Sequence, residues 1–177
     1  WTSGWAPTSG NRSVSINASA NNPVITTGNF SLGNLTLING STITVNSGST
    51  LSLSGNLSGD YGSILGAGTV SLNGAAAQSI GGTISVRDAA STVIINNAAG
   101  VSLNAGANLS VHGALKLQNG NFNASSGNLT IAADASSQGR ILKVESGASI
   151  TGNVTYQKYL AGLVSTASGA WYYVTPT

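Results

Sequence analysis

The sequence has no cysteine and no methionine, and only six basic and four acidic residues in 177. Without cysteine no disulfide is possible, and with both sulfur residues missing nothing is lost to oxidation, which suits an exposed life outside the cell. Charged residues make up 6%, against roughly 25% in ordinary soluble domains. Helices coat their solvent faces with long charged or amide side chains, so this scarcity disfavours a helical fold. The formal charge is +2, and no Lys/Arg cluster is present to hold a phosphate backbone, so nucleic acid is not an expected partner. No apolar run approaches the roughly 20 residues that a membrane-spanning helix needs. No signal-peptide pattern opens the chain, so an exported protein would contain this stretch as a mature portion.

What is present is a palette for short strands. Hydrophobic residues make up 41%, enough to fill a core and unlike the composition of disordered chains. Gly, Ser, Thr, Asn and Ala supply most of the rest, and such residues favour tight turns between β-branched and leucine-rich segments. An apolar–polar–apolar triplet recurs along the chain: Val14-Ser15-Ile16, Leu35-Thr36-Leu37, Ile43-Thr44-Val45, Leu51-Ser52-Leu53, Val70-Ser71-Leu72 and Ile84-Ser85-Val86. It continues through Val93-Ile94-Ile95, Val101-Ser102-Leu103, Leu109-Ser110-Val111, Leu115-Lys116-Leu117 and Leu129-Thr130-Ile131. Alternation with period two is the strand signature, and it turns each outer pair to one side. Leu35, Ile43 and Leu51 are eight residues apart, as are Leu37, Val45 and Leu53.

Strands this short suit a coil in which each stacks on its equivalent one turn later. Three strands and their corners would make a rung of about 20–25 residues, within the range of solenoid repeats. At about 4.8 Å per rung, roughly seven rungs would form a rod of about 35 Å. Gly40, Gly48, Gly74, Gly106 and Gly120 fall where corners would need positive φ. The expected fold is therefore all-β, a parallel β-helix (β-solenoid) with aromatic-rich ends, and an antiparallel sandwich is the competitor. Trp1, Trp5, Tyr156, Tyr159, Trp171, Tyr172 and Tyr173 lie near the two termini, while Phe30, Tyr61 and Phe122 lie between. Solenoid ends expose core and strand edges, so the terminal aromatics read as caps. The expected division is residues 1–150 as the parallel β-helix and 151–177 as capping strands or the start of a following β domain.

Three segments together resemble a known group of proteins. Trp5-Ala6-Pro7-Thr8-Ser9-Gly10 leads through Val14-Ser15-Ile16 to Asn22-Pro23-Val24-Ile25, and Gly66-Ala67-Gly68-Thr69-Val70-Ser71-Leu72-Asn73-Gly74 is followed by Gln78-Ser79-Ile80. Near the end stands Ile150-Thr151-Gly152-Asn153-Val154-Thr155-Tyr156-Gln157-Lys158-Tyr159. Their order is similar to that in the β-helix regions of large secreted surface proteins of Bacteroidetes. The resemblance implies export by the type IX secretion system, display on the cell surface or release, and a longer parent, since the group's C-terminal sorting domain is not visible. None of its motifs is catalytic.

Candidate chemistry is sparse. Glycoside cleavage needs two carboxylates about 5–10 Å apart, and the chain offers Asp60, Asp88, Asp134 and Glu145. Asp60 and Asp88 are close enough in sequence for adjacent rungs, although Asp88 beside Arg87 reads first as a surface ion pair or turn residue. The single histidine, His112, lacks a partner for a metal site and reads as a corner residue bonded to backbone. Few acids are available for calcium. Serine is too common for any one to stand out as a nucleophile. The Asn-x-Ser/Thr matches at Asn34, Asn56, Asn128 and Asn153 are expected by chance in this composition. Thr36, Thr42 and Thr44 would project outward side by side, as in ice-binding arrays, but the outward positions mix Ser, Thr, Lys and Asn. Tyr156, Tyr159, Trp171, Tyr172 and Tyr173 are the interaction or capping candidates, and a stacked aromatic platform for sugars is the second reading.

The sequence thus points to a non-catalytic structural or adhesive module of a secreted or cell-surface bacterial protein: a stalk, adhesin or filament component. No catalytic residue, cofactor or metal is expected. Expected partners are flanking domains of the same chain, other copies of it, or surface glycans. A carbohydrate-binding module is the alternative, followed by a polysaccharide lyase or hydrolase and an ice-binding protein.

Overall fold

The computed structural model describes residues 12–20 and 22–159, which form strands and turns with no helix. The first turn comprises β1 (Val14–Asn17), β2 (Val24–Ile25) and β3 (Asn29–Leu32), and the second β4 (Leu35–Ile38), β5 (Thr42–Val45) and β6 (Thr50–Leu53). In the third turn β7 (Leu57–Leu65) bends across two faces before β8 (Thr69–Leu72), and in the fourth β9 (Gln78–Arg87) does the same before β10 (Thr92–Asn96). Then come β11 (Val101–Leu103), β12 (Asn108–Val111) and β13 (Ala114–Asn123), the last of which carries the chain into the sixth turn with β14 (Asn128–Ile131) and β15 (Arg140–Ile141). β16 (Ala148–Thr151) and β17 (Val154–Tyr156) begin another turn above these.

Every strand pairs in parallel with its equivalent one turn on, giving a β-solenoid of about six turns and ruling out the antiparallel sandwich. Register partners lie 19 to 28 residues apart, from Leu51 on Val70 to Gly120 on Ala148. The eight-residue step of Leu35, Ile43 and Leu51 is therefore not a stacking distance. It is the path from one face to the next within a single turn, since these residues sit on β4, β5 and β6.

Three faces enclose a core of aliphatic columns. Leu35 stacks on Leu57 and Ile80 on the first face, Ile43 on Ile64 and Val86 on the second, and Leu53 on Leu72 and Ile95 on the third. The leucine pairs expected to point inward, Leu35/Leu37 and Leu51/Leu53, are fully buried. Each such side chain contributes roughly 1.5–3 kcal/mol by leaving water, and the columns let adjacent turns share that gain. The middle residue of most triplets, such as Thr44 or Ser52, stays half-exposed, while Ser71 is buried.

Corners follow the expected glycine rule with one exception. Gly40, Gly48, Gly106 and Gly120 have positive φ. At Gly120 a Cβ would also overlap the Asn97 carbonyl one turn below, so the bend in β13 demands glycine twice over. Gly74 does not have positive φ; it is required by crowding, because a Cβ there would meet the Ser54 carbonyl and the Gln78 side chain.

β16 crosses the expected boundary at residue 150, and β17, within the terminal segment 151–177, stacks in register on β14. The core is partly open at both described ends, where Val14, Phe30, Ile150 and Val154 are only half-buried.

Candidate functional site at one corner of the coil

The corner joining the second face to the third varies in length from turn to turn. It takes residues 88–91 in the fourth turn, only 112 and 113 in the fifth, and 132–139 in the sixth. A two-residue connection between two longer ones leaves a notch. Gly113 makes the short turn possible, because a Cβ at that position would run into the Ser91 carbonyl and hydroxyl. The resulting cleft has a volume of about 450 Å³ and is lined by Leu65, Arg87, Asp88, His112, Asp134 and Ser137, among others.

The 132–139 connection is a self-contained loop. Asp134 Oδ1 accepts hydrogen bonds from Ser136 N, Ser136 Oγ and Ser137 N, each at 2.8 Å. Gly139 N donates to the Ala132 carbonyl at 2.8 Å, and a single antiparallel bridge joins Ala133 to Gln138. The Ser136 hydroxyl first, then its N–H and the Ser137 hydroxyl, hold the Asp134 carboxyl well below the usual carboxylate range.

His112 ties this loop to the coil. It is 8% exposed, and its Nδ1 lies 3.1 Å from Asp134 Oδ2 and 3.1 Å from Ser137 Oγ. A carboxylate neighbour places the ring proton on Nδ1. Nε2 then has no hydrogen-bond partner among the described residues. The three residue types match a hydrolase triad, but the geometry does not. A triad sets nucleophile and carboxylate on opposite ring nitrogens, so that Nε2 takes the nucleophile's proton while the carboxylate holds the Nδ1–H, whereas here both meet Nδ1.

The side chains singled out from the sequence are scattered by the coil. Asp60 sits at the corner between the first and second faces, away from Asp88 at the next corner, so the two do not form a carboxylate pair. The acid brought to the cleft with Asp88 is Asp134. Asp88 does serve its turn, accepting Ala90 N at 2.8 Å, but Arg87 forms no ion pair among the described residues. Glu145 lies on an exposed turn after β15. His112 departs from expectation, since its ring bonds to side chains and not to backbone. Its neighbours come from 22 and 25 residues further along, a relation invisible in local sequence. The Asp134-x-Ser136-Ser137 turn was the one local signal available.

Thr42 and Thr44 project from the second face but Thr36 from the first, so the three do not form one array. Thr36 instead meets Ser58 hydroxyl to hydroxyl at 3.0 Å. Asn34 and Asn56 use their amides between turns: Asn34 Oδ1 accepts Asn56 N at 2.7 Å, and Asn56 Oδ1 accepts Ser79 N at 2.9 Å.

Of the terminal aromatics, Tyr156 and Tyr159 are exposed, and Trp171, Tyr172 and Tyr173 lie outside the described residues. Tyr156 continues the second-face column above Ile131, and its hydroxyl donates to the Gly139 carbonyl at 3.0 Å. No group of three or more metal-ligating side chains occurs among the described residues. No family model, curated protein or solved structure matches the chain.

Proposed function

We propose that the chain is a non-catalytic structural or adhesive module of a secreted or cell-surface bacterial protein, serving as a stalk or spacer. The observation that carries this reading is the unbroken aliphatic stack beneath outward faces of serine, threonine and asparagine. On the second face Thr42, Ser63, Ser85, Ser110, Thr130 and Thr155 follow one another in register with no charged residue among them. Such a column supplies stiffness and hydration without chemistry, and adjacent turns reinforce one another as in other solenoids.

The polar cluster fits the same reading. Its one histidine shares a single nitrogen between serine and carboxylate, which serves to hold a loop and gives no path for proton relay. The terminal aromatics fit caps that join this coil to flanking domains or to another copy. Type IX secretion, implied by the resemblance to Bacteroidetes surface proteins, supplies the setting. A carbohydrate-binding role is the second reading, favoured by the cleft between the fourth and sixth turns.

Incubation of the chain with pectin, alginate and xylan tests the non-catalytic part. No release of reducing ends or unsaturated uronates is expected. Turnover that disappears in Asp88→Ala or Asp134→Ala would overturn it.

A further inference from the structure

The charges of this chain are unevenly placed. Of ten formal charges, Arg87, Asp88 and Asp134 line the corner cleft, and Arg140 reaches across to the Ala89 carbonyl at 3.4 Å. The only histidine is there too. Three of the ten charged groups therefore line one corner, with Arg140 bonded across it. Structural need accounts for part of this. Asp134 closes its own loop, and the Nδ1 side of His112 holds it. The remaining groups are not consumed by the fold: the Arg87 guanidinium, the second oxygen of Asp88 and His112 Nε2 have no hydrogen-bond partner among the described residues.

Their chemistry defines a ligand. In the neutral ring with its proton on Nδ1, Nε2 is an acceptor on a residue 8% exposed, so it asks for a donor. The free Asp88 oxygen asks for a second donor, while Arg87 offers several N–H groups in a plane and a positive charge. A molecule that donates twice from neutral groups and accepts once, with advantage from negative charge, is a polyhydroxylated acid. The cleft volume of about 450 Å³ lies within the range of small-ligand sites. We propose that this corner binds an acidic saccharide, with ring hydroxyls donating to His112 Nε2 and Asp88 and a carboxylate meeting Arg87. This assignment stands on the cleft and is independent of the stalk role, which survives if no sugar binds.

A single histidine makes the test direct, because its ring resonances are resolved without ambiguity. The 177-residue chain is titrated at fixed pH with digalacturonate and, separately, with neutral cellobiose at millimolar concentration. The His112 ring signals should move with digalacturonate and respond more weakly to cellobiose. Arg87→Ala should weaken digalacturonate binding by about tenfold, the scale of one lost charge-assisted hydrogen bond. Asp88→Asn, which keeps the oxygen that holds Ala90 N, should weaken both sugars. Neither variant touches the core, so folding is preserved. Absence of any ring shift with either sugar, an equal response to both, or shifts unchanged in both variants overturns the proposal.

Discussion

Asn97 and Gln78 meet inside the coil, Asn97 Nδ2 donating to Gln78 Oε1 at 2.8 Å, although both lie among aliphatic columns. Gln78 occupies the inward position directly below Val101. Its Oε1 also accepts Gly74 N at 2.8 Å, and its Nε2 donates to the carbonyls of Leu53 and Gly55. One amide thus satisfies backbone groups that a sharp corner removes from the sheet. A buried polar group with all its partners is tolerated, while its removal leaves those partners stranded.

Gln78→Ala should therefore destabilise the chain by about 2–4 kcal/mol, more than loss of the side-chain volume alone, because the Gly74 N–H and the Gly55 carbonyl lose the amide that meets them. Denaturant unfolding followed by circular dichroism measures this. A cost below about 0.5 kcal/mol, the level of an ordinary surface change, would show that the network is dispensable.

Alternation along each strand makes a sharp comparison between neighbours. Leu53 is fully buried and Ser52 half-exposed. Leu53→Ala should cost about 2–5 kcal/mol, whereas Ser52→Ala should stay within about 0.5 kcal/mol. Equal effects in the same unfolding measurement would contradict the inward assignment of the leucines.

The stacking register can be trapped chemically, since the chain has no native cysteine. Ser52 on β6 and Ser71 on β8 are register partners, and neighbouring strands about 4.8 Å apart place their Cα atoms within disulfide range. Oxidation of Ser52→Cys/Ser71→Cys should close an intramolecular bond, read by a mobility shift that reductant reverses. Ser52→Cys/Ser110→Cys, whose residues lie on different faces, should not close one.

Acid sensitivity should centre on the 132–139 loop. The folded Asp134 carboxyl is held below its ordinary range, first by the Ser136 hydroxyl. A lowered folded value means that the charged form contributes fully above the ordinary Asp range near pH 4, and that this contribution fades as the pH falls below it. Wild type should melt above Asp134→Asn at pH 6, and the gap should narrow below about pH 4. A gap that is constant or widens in acid contradicts the assignment.

The coil was legible because its signal is local. Triplets such as Leu51-Ser52-Leu53 declare their inward face by period two, and Gly40 and Gly48 mark corners. The cleft was not legible, because its members are contributed by successive turns. His112 and Asp134 are adjacent only because the fifth corner is two residues long and the sixth eight. Loop length of that kind follows no periodicity. Gln78 enters the sequence reading only as part of a segment that carries the family resemblance, because nothing near it in sequence reveals that it turns inward beneath Val101.

The central proposal, a structural module displayed outside the cell, is tested most directly on the organism that encodes it. Antibody raised against the purified chain should label intact, unpermeabilised cells or detect the protein in the culture medium. Labelling that appears only after the cells are lysed, with none in the medium, would contradict the account.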